Sequence, residues 1–186
     1  YVPLIYELSS MLAPEPGGAV PATFAEGIPV RYSRPGRALA AWLSWIEEGF
    51  PQATLVRMVQ EGLLDFGAAM PEDCSFSRLG SVLRSIPIGK GRERYAAGIA
   101  AELDSLAWGR ANPDRAENGD DEEERLARLE RRTEMVGSLG VLARGLLDGV
   151  PDPSREGHDL LLSADGFLVG GARAVSEFDE YSRLRL

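Results

Sequence analysis

The stretch SRPGRALAAWLSWIEEG, residues 33–49, decides the fold class of this chain. Its large apolar residues recur three or four positions apart, which is the spacing of one face of an α-helix. They are Leu39, Trp42, Leu43 and Ile46. Pro35 stands near the start, where a proline removes no helical hydrogen bond, and Gly49 ends the apolar pattern. The stretch therefore predicts an amphipathic helix, with Trp42 in the core and Trp45 half exposed.

The same helical spacing repeats along the rest of the chain. It predicts helices over residues 52–66, from Ser75 or Ser77 to Ile86, over 92–110, and from 120 to about 147. A final helical stretch from about 158 to 186 is interrupted by glycines at 166, 170 and 171. We therefore expect a mainly α fold, a helical bundle.

The segment before residue 33 has a different pattern. Val2 to Leu12 predicts a short amphipathic helix, and residues 28–32, with alternating β-branched and aromatic side chains, predict a short strand. One helix and one strand cannot bury a sheet face, so we expect this strand to pair with a sheet in flanking sequence. The start at Tyr1 and the helical pattern that continues to Leu186 also favour a piece of a longer polypeptide.

Composition places the chain among ordinary globular proteins, with 44% apolar and 26% charged residues in 186. No apolar run approaches the roughly 20 residues that a membrane span needs, and we see no signal peptide. We expect a cytoplasmic protein with no membrane partner. The single Cys74 excludes an internal disulfide, and this segment alone lacks the ligands for an iron–sulfur cluster or a structural zinc site.

Charge is unevenly distributed over the chain. The formal net charge of −9 argues against a protein that coats nucleic acid along its whole surface. Residues 75–95 are nevertheless basic. Their cations are Arg78, Arg84, Lys90, Arg92 and Arg94. Three of these stand at a predicted helix start, where cations and backbone N–H groups together suit a phosphate, so all five are candidate DNA contacts. The alternative is that Arg92 and Arg94 pair with the acidic segment 114–124, or with Glu93 and Glu102.

No motif in the chain indicates an active site. Gly89-Lys90-Gly91 lacks the first glycine and the hydroxyl residue of a phosphate-binding loop. The acidic run 120–124 cannot converge on one metal ion, because successive helix residues point in different directions. His158 has no partners for a catalytic triad, and the acids before Cys74 should raise the pKa of its thiol. We therefore expect no catalytic, cofactor or metal site in this segment.

Four patches, in order, resemble the inserted helical "2B" region of UvrD/Rep-type helicases and of AddB-like helicase–nucleases. The first, Gly27-Ile-Pro-Val-Arg-Tyr32 with the following Arg34-Pro-Gly-Arg-Ala-Leu39, is similar to the entry into that insertion. Glu48-Gly-Phe50 and Ile86-Pro-Ile-Gly-Lys-Gly-Arg-Glu-Arg-Tyr95 resemble AddB-like elements, and residues 172–181 resemble the closing helix.

The resemblance implies that residues 1–33 are the edge of a truncated RecA-like domain and residues 34–186 an all-helical 2B-like domain. It further implies a non-catalytic accessory part of an ATP-dependent helicase and/or exonuclease that processes DNA ends in recombinational repair. The expected partners are duplex or forked DNA and a helicase–nuclease partner subunit, and ATP and Mg²⁺ would bind elsewhere in the parent protein. The alternative is a protein–protein interaction module with no DNA contact.

Overall fold

The computed structural model describes residues 29–112, 122–151 and 157–186. Seven α-helices lie in these ranges, in the order α1 Arg34–Glu47, α2 Gln52–Gln60, α3 Phe76–Ser85, α4 Arg92–Ala111, α5 Glu122–Asp148, α6 Gly157–Gly170 and α7 Glu177–Arg183. Single 3-10 turns lie at Val30–Tyr32 and Gly67–Ala69. The prediction of a mainly helical bundle is confirmed.

The helices pack as neighbouring pairs around one apolar core. The most extensive contacts join α2 with α3 and α4 with α5, while α3 also packs on α5. Helix α1 touches α2, α6 and α7, so it ties the first and last parts of the described chain together. Trp42, Trp45 and Tyr95 are among the largest fully buried side chains. Trp42 is in the core as predicted, but the prediction of a half-exposed Trp45 is wrong, because its side chain is fully buried.

The predicted strand at residues 28–32 is wrong where the structure describes it. Val30–Tyr32 form a 3-10 turn, because Ser33 folds back on it: both the backbone N–H and the hydroxyl of Ser33 donate to the Val30 carbonyl. The Ser33 oxygen also caps α1 by accepting from the Gly36 N–H at 3.1 Å. A RecA-like sheet edge is therefore not supported in the described part of 1–33. The predicted helix Val2–Leu12 lies outside the described residues.

Helix α2 is shorter than predicted. It ends at Gln60, and Gly62 follows with a φ of +62°, a conformation that glycine adopts at little cost. Leu63 and Leu64 are buried beyond this turn, and Leu64 forms an isolated bridge with Ala172. The apolar residues at 63, 64 and 66 are therefore buried by non-helical chain and not by a longer helix.

The C-terminal end of the described chain is anchored by one buried carboxylate. Asp179, in the first turn of α7, accepts from the Arg34 N–H at 3.0 Å and from the Val175 N–H at 3.2 Å. Arg34 adds an ion pair at 3.7 Å. Asp179 thereby satisfies a free N–H at the start of α1, which otherwise has no partner within its own helix. The first and last described helices are held together at this point.

Candidate nucleic-acid interface

The connection between α3 and α4, residues 86–91, carries the centre of the basic segment and is fixed by Gln52. The Gln52 amide nitrogen donates to the carbonyls of Leu83 and Ile86, both at 2.6 Å. Its amide oxygen accepts from the Gly89 N–H at 2.9 Å, and its backbone N–H donates to the Gly89 carbonyl at 2.8 Å. One side chain at the start of α2 therefore sets the path of this connection.

The connection between α3 and α4 lies against the turn that joins α1 to α2. Gly49 and Phe50 follow α1 with φ values of +72° and +62°, and Gly89 and Gly91 precede α4 with +75° and +122°. The two segments form an isolated antiparallel bridge, in which the Gly91 N–H donates to the Phe50 carbonyl at 3.4 Å. Phe50 is the exception among these residues, since a left-handed conformation is unusual for a bulky side chain. Its ring packs edge-on against Trp45, with ring centroids 5.0 Å apart.

A buried aromatic cluster supports both turns from below. Trp45 Nε1 donates to the Tyr95 hydroxyl at 3.1 Å, and that hydroxyl donates to the Phe50 carbonyl at 3.2 Å. Burial raises the pKa of Tyr95 to about 12, although the hydrogen bond from Trp45 acts in the opposite direction. Tyr95 therefore stays neutral at physiological pH and joins α1, the Phe50 turn and α4 into one rigid support.

Lys90 and Arg94 lie on the outer side of this support. Both side chains are exposed. The Lys90 side chain lies over Gly49, and the Arg94 guanidinium lies beside Gly89, so both approach the paired turns. Neither forms an ion pair with a carboxylate of the described chain. These two residues therefore present positive charge that the described part of the protein leaves available.

The structure assigns the other three candidate cations to different surroundings. Arg84 is exposed and donates to the Gln60 side-chain oxygen at 3.0 Å, a neutral partner. Arg78 is exposed but stands near the opposite end of α3, six residues from Arg84. Arg92 is partly buried and donates to the Leu147 carbonyl at 2.7 Å, in the last turn of α5. Its role is to join α4 to α5, so the five cations do not form one patch.

The alternative prediction was that Arg92 and Arg94 pair with acidic residues of this chain, and the structure tests it for Glu93 and Glu102. Glu102 pairs with Arg132 at 2.7 Å and not with Arg92 or Arg94. Glu93 lies in the first turn of α4, with its carboxylate beside Gly91. That carboxylate places a negative charge at the helix start, which has no side-chain cap and would otherwise favour an anion. Anion binding here would therefore depend on the side chains of Lys90 and Arg94. Residues 114–121 of the acidic segment lie outside the described residues.

Stacking on bases is limited by the positions of the tryptophans. Trp42 and Trp45 are buried, so neither presents a ring face at the surface. Trp108 is 55% exposed, but it lies four helical turns beyond the start of α4. No tryptophan of the described chain therefore presents an exposed ring face beside the Lys90 and Arg94 side chains.

Two further places with titratable side chains are Cys74 and the acidic start of α5. Burial is the main cause that raises the pKa of the Cys74 thiol, while Arg78 lowers it and Glu134 raises it by smaller amounts. The predicted direction is confirmed, but the cause is burial and not the preceding acids. Glu122–Glu124 begin α5 as exposed residues. In the described ranges, no three His, Cys, Asp or Glu side chains are grouped closely enough to hold a metal ion. The His158 side chain is outside them.

An apolar cavity of about 620 Å³ lies between α1, α5 and α6. The sequence did not predict it. Its floor contains Trp42 stacked on Phe167, with ring centroids 4.9 Å apart and an interplanar angle of 11°. The indole Nε1 of Trp42 is buried and has no acceptor among the described residues. The glycines at 166, 170 and 171 were interpreted as interruptions of a helix, but all three also line this cavity.

The fold and the site define a mainly helical bundle domain with a small basic surface. Comparison with known protein families gave no match, and neither the curated proteins nor the solved structures gave a significant one. Within the described residues, no helix is both long and apolar enough to cross a membrane.

Proposed function

We propose that this chain is a non-catalytic accessory domain of an ATP-dependent DNA helicase–nuclease, and that it contacts the DNA backbone through Lys90 and Arg94. The four sequence patches support the assignment to DNA end processing and recombinational repair. The observation that carries the DNA contact is the exposure of two neighbouring cations without a carboxylate partner in the described chain, on a connection fixed by Gln52. ATP and Mg²⁺ would be bound by the parent protein.

The chemistry fits phosphate better than base edges. Lys90 lies in the paired turns and Arg94 in the first turn of α4. Two such cations at one place can position a DNA backbone but offer little sequence readout. We therefore expect weak, salt-sensitive and sequence-independent binding to duplex DNA.

The test is fluorescence anisotropy with a labelled duplex at several NaCl concentrations. Neutralising two phosphates gives a slope of about 1.8 in the plot of log affinity against log salt, since each phosphate contributes about 0.9. Lys90→Ala with Arg94→Ala should remove this slope of about 1.8 and weaken binding at low salt roughly tenfold.

The matched control is Arg31→Ala with Arg185→Ala, which removes the same charge. Both residues are exposed. Arg31 lies just before α1, and Arg185 lies in the segment that follows α7. Lys90 contacts the turn at the far end of α1, a helix of 14 residues and therefore about 20 Å long. Equal losses in both double variants would show that only net charge matters, and absence of any salt-dependent binding would refute the DNA contact.

The second candidate function is a protein–protein interaction module without DNA contact. The net charge of −9 and the exposed apolar side chains of α6 favour it. Leu161 is 71%, Leu162 59% and Val169 67% exposed. Co-purification with a helicase partner that survives both high salt and nuclease treatment, together with unchanged DNA binding in the Lys90 and Arg94 variants, would decide for this function.

A further inference from the structure

We propose that the cavity between α1, α5 and α6 binds a small apolar molecule with a cationic end. This inference is independent of the proposed DNA contact, because the cavity shares no residue with the basic surface. Its volume of about 620 Å³ lies in the range of roughly 300–1,000 Å³ that is usual for small-molecule sites.

The wall of the cavity is apolar, and several of the residues that line it are glycines. Phe66, Leu142 and Leu146 line it together with the stacked Trp42 and Phe167. Gly145 on α5, with Gly166 and Gly170 on α6, completes the wall, and a Cβ at any of these three would meet no atom within 4 Å. Gly145 and Gly166 lie inside helices, where glycine is less favourable than alanine. They leave space that larger residues would otherwise fill.

The mouth of the cavity is open and apolar on two sides. Val141 and Leu162 line it while remaining 60% and 59% exposed. As far as the described residues go, a ligand can therefore enter between α5 and α6 without a rearrangement of the core. The apolar part of a ligand that passes these residues would be removed from water by the aromatic floor, which supplies the main driving force.

One charge selects the polar end of the ligand. Asp65 is the only ionisable residue among those that line the cavity, and it is exposed, so it lies at the mouth. One of its carboxylate oxygens accepts from the Gly67 N–H at 2.8 Å, and the other has no partner among the described residues. Ser163 adds a hydroxyl. A cationic end is attracted by this carboxylate, and an anionic end is repelled.

The test uses two probes of equal chain length and opposite charge, decyltrimethylammonium and decanoate, both below their micellar concentrations. Isothermal titration calorimetry with the whole chain should show saturable binding of decyltrimethylammonium and weaker binding of decanoate. Asp65→Asn should reduce the preference for the cation by about threefold, the effect of one partly solvated charge.

Steric variants locate the site. Gly145→Leu should weaken binding at least tenfold, because the new side chain occupies the cavity. Gly137→Leu is the matched control, since Gly137 lies in the same helix, faces open space and is not part of the cavity wall. If Gly145→Leu does not fold, Gly166→Leu makes the same test from α6. Binding that is absent in the unmodified chain, unaffected by these variants, or equally weakened by Gly137→Leu would overturn the proposal.

Discussion

Replacing Gln52 by alanine should both destabilise the protein and release the connection that carries Lys90. The Gln52 side chain makes three hydrogen bonds, two to carbonyls at the end of α3 and one from the Gly89 N–H. Each such bond contributes about 0.5–1.5 kcal/mol net, and water can replace part of the loss because the side chain is half-buried. We expect the free energy of unfolding to fall by about 2–3 kcal/mol.

Urea denaturation measures this loss, and hydrogen exchange of the Gly89 amide locates it. The matched control is Gln60→Ala, the same residue type in the same helix, whose side chain takes part in one hydrogen bond, with the exposed Arg84. That control should cost less than about 1 kcal/mol. The reasoning is refuted if both variants lose the same stability, or if the Gly89 amide stays protected when Gln52 is removed.

Three further substitutions test other parts of the structure. Tyr95→Phe should reduce the loss of stability at alkaline pH. Because the pKa of Tyr95 is raised to about 12, the stability that its neutral hydroxyl contributes is complete below pH 10 and is lost between pH 10 and 12. The expected loss in the unmodified protein is about 1.4 kcal/mol by pH 11, measured by denaturation at pH 9 and 11. Gly80→Ala should cost about 1–3 kcal/mol, because its Cβ would collide with the Gln60 Cγ, and Gln60→Ala in the same chain should restore most of that loss in thermal unfolding. Asp179→Ala should cost about 2–3 kcal/mol in urea unfolding, because it leaves the Arg34 and Val175 N–H groups without their acceptor.

Each of these has its own control. Alkaline loss of stability that is unchanged in Tyr95→Phe would assign the effect to another group. Gly137→Ala meets no neighbour and should stabilise by roughly 0.5–1 kcal/mol, so a loss there would contradict the account of Gly80. Glu180→Ala removes an exposed pair with Arg183 beside Asp179 and should change stability by less than about 1 kcal/mol.

Helical periodicity was enough to predict most of the bundle. Ser75 was correctly identified as a possible cap, and its side chain accepts from the Arg78 N–H at the start of α3. The acids in the first turn of α5 and the proline in the first turn of α1 were also predicted at helix starts. These signals are local, because a cap and a helix start depend on residues within one turn of each other.

One error was local and another depended on distant parts of the chain. Alternation at residues 28–32 is typical of a strand, but the neighbouring Ser33 folds the chain back into a turn. Trp45 lies beside the apolar stripe, and only its contacts with Tyr95 and Phe50, 50 and 5 residues away, explain its burial.

Only part of the candidate site could be predicted from the sequence, because contacts between distant residues decide the rest. The spacing of the cations indicated a basic segment, but not that Arg92 would reach the Leu147 carbonyl 55 residues away. Gln52 gave no signal at all, because a single glutamine after a proline is ordinary at a helix start. The cavity needed α1, α5 and α6 to be placed together, and no local pattern contains that information.

The contact between Arg34 and Asp179 has a consequence for how this bundle can be built into a larger protein. It joins positions 145 residues apart, at the first residue of α1 and in the first turn of α7. A helical unit whose entry and exit points adjoin can be accepted within a surface loop of a host domain without pulling that loop open.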